Sequence, residues 1–257
     1  MTGHHRIGLI VPSSNVTMET ELPELFGRQA AATGERFSFH SARMRMTSVT
    51  PEALAAMNTH AERCATELAD ADCAVLGYAC LVAVMASGPG AHVRAEASLQ
   101  AVAGGSAPVV TSAGALVEGI RALDAERVGL IAPYAPPLTA KVVSYLADAG
   151  VDVVDAISLD VTDNRAVGRL DPANPLGLLE RLDLRRAEAL VVSACVQMPS
   201  LAAVQPAQDL TGLPTLSAAT ATARSMLGAL GLSPDIPDAG ALLGSSDRSA
   251  SPLAVAG

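Results

Sequence analysis

One stretch of this chain occurs twice, and that duplication constrains the fold more than any other feature. Ala74-Val-Leu-Gly-Tyr-Ala-Cys80-Leu-Val has a partner in Ala189-Leu-Val-Val-Ser-Ala-Cys195-Val-Gln, and in both an apolar run ends in Ala-Cys and then breaks. Two further pairs occur in the same order. Gly8-Leu-Ile-Val-Pro12 matches Gly129-Leu-Ile-Ala-Pro133, and Pro108-Val-Val-Thr-Ser-Ala113 resembles Pro214-Thr-Leu-Ser-Ala-Ala219. The offsets are 121, 115 and 106 residues, so the matches preserve order across two halves. Ordered self-similarity of this kind is the mark of a duplicated structural unit.

Apolar β-branched runs alternate with helical patterns along the chain, as in βα units on a parallel sheet. In the first half, strands are expected over residues 6–11, 37–44, 73–80 and 108–111. Helices are expected over 17–32, 50–70, 91–102 and 112–123, with Thr50 and Pro51 opening the second of these and Glu19 and Glu21 on the favourable end of the first. The second half expects strands at 127–132, 151–159, 189–195 and 214–216, with helices at 136–149, 175–182, 199–210 and 218–230. Gly150 closes the first of these helices. The fold class is therefore α/β: two pseudosymmetric Rossmann-like lobes with parallel sheets and a cleft between them. Residues 1–115 plus about 220–257 are read as the lobe carrying Cys80, and 116–219 as the lobe carrying Cys195. The last twenty residues are expected at the surface.

Half the residues are apolar and aromatics are scarce, which suits small-residue helices packed closely on sheets. The net charge of −9 and the lack of a basic run argue against nucleic-acid binding and mean that an anionic substrate would need local donors. No apolar run spans a bilayer and no apolar signal region follows the start, so a cytoplasmic protein with reduced thiols is expected. The four cysteines lack zinc-site spacing.

In open α/β sheets, ligands bind beyond the carboxyl ends of strands. Cys80 and Cys195 are placed there, at the last strand positions, whereas Cys64 and Cys73 read as core residues. None of the histidines (His4, His5, His40, His60 and His92) falls at a strand end, so a Cys-His dyad is not supported. The backbone N–H groups of Leu81, Val82, Val196 and Gln197 are instead expected to stabilise a thiolate or bind a carboxylate. Other strand ends contribute Ser13, Ser14, Asn15, Tyr134 and Asn164 as neutral donors, although Asn15 equally reads as a helix cap, Tyr134 as a buried ring and Asn164 as a turn residue. Arg43 and Arg165 are possible charge partners that their spacing does not single out.

The segments 8–23, 37–46, 78–85, 112–119 and 192–201 together resemble the maleate cis–trans isomerases of the aspartate/glutamate racemase superfamily. The resemblance implies an interlobe site that works without a cofactor, commonly in a homodimer. It implies Cys80 as nucleophile and Cys195 as proton donor and acceptor, with Asn15, Asn164, Tyr134 and the amides after each Cys binding a small dicarboxylate, maleate. Nicotinate breakdown is the pathway it suggests. A two-cysteine amino-acid racemase remains an alternative, although such enzymes carry Cys-Asn-Thr where this chain has Cys80-Leu81-Val82. An arylmalonate decarboxylase generally works with one cysteine. A noncatalytic two-lobed binding protein for small acids is the third alternative.

Overall fold

The computed structural model describes residues 3–105 and 107–244; of the last twenty residues, expected at the surface, 238–244 instead bury Ala239, Leu242 and Leu243 against the core, and 245 onward lies outside the described residues. The first half runs β1 (His4–Pro12), α1 (Met18–Thr33), β2 (Arg36–Met44), α2 (Pro51–Asn58), α3 (Ala61–Asp70), β3 (Val75–Tyr78), α4 (Leu81–Met85), α5 (Ala91–Val102), β4 (Val109–Thr111) and α6 (Ser112–Ala122). The second runs β5 (Arg127–Ala132), α7 (Pro136–Asp148), β6 (Asp152–Ser158), α8 (Asn164–Val167), β7 (Ala189–Ser193), α9 (Leu201–Thr211), β8 (Thr215–Ser217) and α10 (Ala218–Ala229). The strands form two four-stranded parallel sheets, ordered β2-β1-β3-β4 and β6-β5-β7-β8. The same order appears in each half, with βα crossovers covering both faces of sheets whose central strands are buried.

The duplication extends to individual hydrogen bonds. Just past β3, the Ala79 N–H donates to the Ile10 carbonyl at 2.9 Å, and just past β7, Ala194 does the same to Ile131 at 2.9 Å. The halves differ locally in the sheets: the pairing of β7 with β8 shifts between Val191 and Ser193, whereas β3 pairs with β4 without a shift. The helix starts after the fourth strands match as well. The Thr111 hydroxyl accepts from Gly114 N–H at 3.0 Å, and the Ser217 hydroxyl from Thr220 N–H at 3.2 Å. Alanine-rich α6 and α10 pack against each other, joined by a buried hydrogen bond from Thr222 to Ser112 at 3.1 Å. α10 also lies against α1, β3 and β4 of the first half.

Local departures from the expected elements have local causes. The single helix expected over 50–70 is broken at Thr59 and His60. There the Thr59 hydroxyl turns back to the Ala56 carbonyl at 2.7 Å, and the Asn58 side chain is taken by the Tyr78 hydroxyl. Side chains of this kind compete with the helix for its own backbone groups. Residues Leu176–Arg181 form a 3-10 turn rather than an α-helix, a common outcome for a short connector holding a glycine. The two cysteines sit two residues beyond their strands rather than at the last strand position, because the Ala79 and Ala194 backbone bonds finish the ladder before the chain turns away. Among the described residues, no helix is long and apolar enough to cross a membrane.

Candidate active site

The carboxyl ends of β1, β3, β5 and β7 meet between the lobes around a tight cavity of about 20 Å³. Cys80 and Cys195 both line it, each only 5% exposed. Asn15, Leu81, Val82, Tyr134, Asn164, Val196 and Gln197 line it too, so nine of the residues singled out from the sequence converge on one space, while Ser13, Ser14, Arg43 and Arg165 do not line it. Pro12, Ala79, Met46 and Val49 complete the wall. Met46 and Val49 come from the β2–α2 connection and were not anticipated, since a lone apolar residue in a loop carries no local signal of what it covers. Cys64 and Cys73 lie in the hydrophobic core, as expected of structural thiols.

Cys80 stands at the head of α4, and Leu81 and Val82 occupy that helix's first positions, where backbone N–H groups have no intrahelical acceptor. Cys195 heads an irregular turn instead. There the Gln197 N–H points at the Cys195 sulfur at 3.4 Å, and the Ser193 hydroxyl donates to the Cys195 carbonyl at 2.8 Å. Tyr134 is buried beside this turn, its hydroxyl donating to the Ala194 carbonyl at 3.1 Å.

Burial decides the thiol chemistry of the site. It pushes Cys80 up to about 12, against the lowering effect of the Ala83 N–H, and the nearby Cys195 raises it further. Burial raises Cys195 as well, opposed by Tyr134 and by the Gln197 and Met198 N–H groups. The amides therefore act in the expected direction, yet desolvation outweighs them, and both sulfurs rest as thiols near neutral pH. The Tyr134 phenol is also held far above its ordinary range by burial, and so remains a hydrogen-bond donor.

The lobes are laced together beside the cavity. The Asn15 amide donates to the Val196 carbonyl at 3.4 Å while its oxygen accepts from Met18 N–H at 3.2 Å, so the capping role and the site role coexist. Thr17 donates to the Gln197 carbonyl at 2.7 Å. The Gln197 side chain donates to the Ser14 and Asn164 carbonyls, both at 2.9 Å, and accepts from Val16 N–H at 3.1 Å. Asn164 donates to the Ser14 hydroxyl at 2.8 Å. Ser13 and Ser14 in turn donate to the Met46 carbonyl, fixing the loop over the cavity rather than lining it. Arg43 braces this corner by donating to the Ser13 and Asn15 carbonyls at 3.0 Å and pairing with Glu19. Arg165 stays at the surface beside Asp163. Among the described residues, no cluster of three or more His, Cys, Asp or Glu is placed to hold a metal ion.

Two copies of one α/β lobe, each presenting a buried thiol to a shared cavity, define a cysteine-pair enzyme of the two-lobed pseudosymmetric class. A family model described as arylmalonate decarboxylase matches residues 7–243. The maleate isomerase of Geobacillus stearothermophilus is 53% identical over 247 residues, covering 95% of this chain and 98% of the relative. The crystal structure of a cysteine-to-alanine form of the maleate isomerase Iso from Pseudomonas putida S16 with maleate superposes with a TM-score of 0.93 at 46% identity, over 95% of this chain and 98% of that one. The Nocardia farcinica maleate cis–trans isomerase, as a cysteine-to-serine mutant with a covalently bound succinylcysteine intermediate, gives 0.90 at 52% identity, over 94% and 98%. The chain belongs to the maleate isomerase family.

Proposed function

We propose that this protein converts maleate to fumarate without a cofactor, with Cys80 as the nucleophile and Cys195 as the proton donor and acceptor. The observation that carries this reading is the single cavity lined by both sulfurs and by the neutral donors Asn15, Tyr134 and Asn164. Its support from relatives is the maleate-bound structure and the succinylcysteine intermediate, each in a protein nearly half identical or more to this one.

Rotation about the maleate double bond requires that bond to become single. The Cys80 thiol first releases its proton to solvent, and the electron pair of the resulting thiolate forms an S–C bond to one alkene carbon. The π electrons move to the other carbon and its carboxylate, and that carbon takes the proton from Cys195. The resulting succinyl adduct rotates about its central bond. Cys195, now a thiolate stabilised by Tyr134 and by the Gln197 and Met198 N–H groups, removes a proton from the same carbon, and the S–C pair returns to Cys80 as fumarate leaves. Preformed donors at Leu81, Val82, Val196 and Gln197, together with Asn15 and Asn164, suit the negative charge that develops on the carboxylates during addition. Because Cys80 rests as a buried thiol, its ionisation is part of the barrier.

A homodimer and a role in nicotinate breakdown follow from the family resemblance, a cytoplasmic location from the thiols and the absence of an apolar signal or spanning run, and a lobe division at 1–115 plus about 220–257 against 116–219 from the internal repeat. The packing of α10 on α1, β3 and β4 supports the return of the chain to the first lobe. Light scattering checks the dimer. The central test follows maleate and fumarate by proton NMR with no added cofactor, comparing wild type, Cys80→Ser and Cys195→Ala. Turnover confined to wild type is expected, and full turnover by either variant refutes the mechanism.

A further inference from the structure

Glu21 belongs to α1 of the first lobe, yet its carboxylate ends at the start of α9 in the second. It is 7% exposed, and its Oε1 accepts from the backbone N–H groups of Ser200 at 2.6 Å and Leu201 at 2.7 Å. A helix start is ordinarily capped by its own neighbours in sequence. Ser200 supplies no such cap, and this one arrives from the opposite lobe. Among the described residues, the second carboxylate oxygen and the Ser200 hydroxyl are both buried without a hydrogen-bond partner. A carboxylate buried in that way is costly, and a neutral acceptor would cap the helix more cheaply. Burial accordingly raises Glu21 to about 7, despite the two amides.

The anchored amides lie at the far end of the turn that begins at Cys195. Its near end is pinned by the Ala194 ladder bond and the Ser193 hydroxyl, and its middle by Asn15 and Thr17. Cys80 has no comparable turn to hold, since it leads straight into α4.

We propose that Glu21 is a positioning residue for Cys195: reaching across from α1, it anchors the 195–201 turn so that the second thiol meets the substrate carbon only while the lobes are docked. The proposal rests on the isomerase reading above, and two variants separate reach from charge. Glu21→Asp keeps the charge but retracts the oxygens by one methylene, whereas Glu21→Gln keeps the reach and an acceptor oxygen. With maleate at about pH 8, Glu21→Asp should lower kcat on the order of tenfold to a hundredfold while KM stays within about twofold. Glu21→Gln should remain within about threefold of wild type in both.

Wild-type kcat in Glu21→Asp, even with a lowered melting temperature, would reduce Glu21 to a stabilising cap and overturn the proposal. So would a Glu21→Gln variant as impaired as Glu21→Asp. If the wild type converts no maleate, the functional reading fails by itself. The anchor is then read from hydrogen exchange at the Ser200 and Leu201 amides. Faster exchange in Glu21→Asp, with Glu21→Gln near wild type, supports it, and equal exchange in all three proteins overturns it.

Discussion

Replacing Glu21 by glutamine should make the protein more stable above neutral pH, and the size of the gain can be worked from the site. Three influences act on the carboxyl: burial and nearby Glu24 disfavour the charged form, while the Ser200 and Leu201 N–H groups favour it. Burial is the largest, and the folded-state value settles at about 7 against an ordinary 4.5. Below pH 4.5 both folded and unfolded chains hold the proton. As pH rises, the unfolded chain releases it first, so the folded state is progressively disfavoured until Glu21 itself ionises near pH 7. The difference between 4.5 and about 7 corresponds to about 3 kcal/mol of stability lost across that window. Glutamine occupies nearly the same volume, accepts the same two bonds and does not titrate. Urea unfolding of wild type and Glu21→Gln at about pH 4.5 and pH 8.5 isolates this residue, because other ionisable groups are common to both proteins. The stability difference should move by about 3 kcal/mol in favour of the variant between the two pH values. Parallel pH dependences, or a variant that weakens more steeply on the alkaline side, would refute the reasoning.

Alkylation of Cys80 by iodoacetamide in the ligand-free protein, followed by mass spectrometry, should accelerate with each pH unit toward pH 10, since burial lifts the thiol to about 12; a plateau below pH 8 would mean a thiolate already present. For the same reason, kcat/KM for maleate should rise with pH if Cys80 ionisation limits addition. Tyr134→Phe removes the donor that favours the Cys195 thiolate and should lower kcat by on the order of a hundredfold, measured by maleate conversion, with a smaller change in KM. Gly240→Ala should cost about 3 kcal/mol in urea unfolding, because its backbone is left-handed and a Cβ would sit 2.5 Å from the Thr215 carbonyl oxygen. Gly150→Ala, equally left-handed but facing open space, should cost only about 1 kcal/mol.

The repeated Ala-Cys ends made the doubled fold legible, because each marks a buried strand followed by a turn at the ligand-binding edge. Asn15, Tyr134 and Asn164 were readable for the same reason, lying just after strand ends in a topology that gathers such ends together. What escaped was set by contacts between distant segments. Glu21 looks like an acidic residue on the favourable end of α1, and only the docking of the second lobe reveals that it caps α9. Arg43 on β2 carries no local mark of the Ser13 and Asn15 carbonyls it holds. Met46 and Val49 read as ordinary loop residues until the chain folds over the cavity. The break at Thr59 was locally encoded, but Asn-Thr-His is only weakly unfavourable to a helix, and the hydroxyl's return to Ala56 tips the balance.

Had the second half remained a faithful copy of the first, a diacid with two equivalent carbons would face two interchangeable sulfurs. The two halves are not such copies: the chain enters α4 directly after Cys80 but stays irregular after Cys195, and the β7–β8 pairing slips between Val191 and Ser193. One sulfur now heads a helix and the other a turn tethered to the opposite half. In the proposed mechanism, this difference in backbone separates attack from protonation: the protein, and not the substrate, distinguishes the two ends of a symmetric molecule.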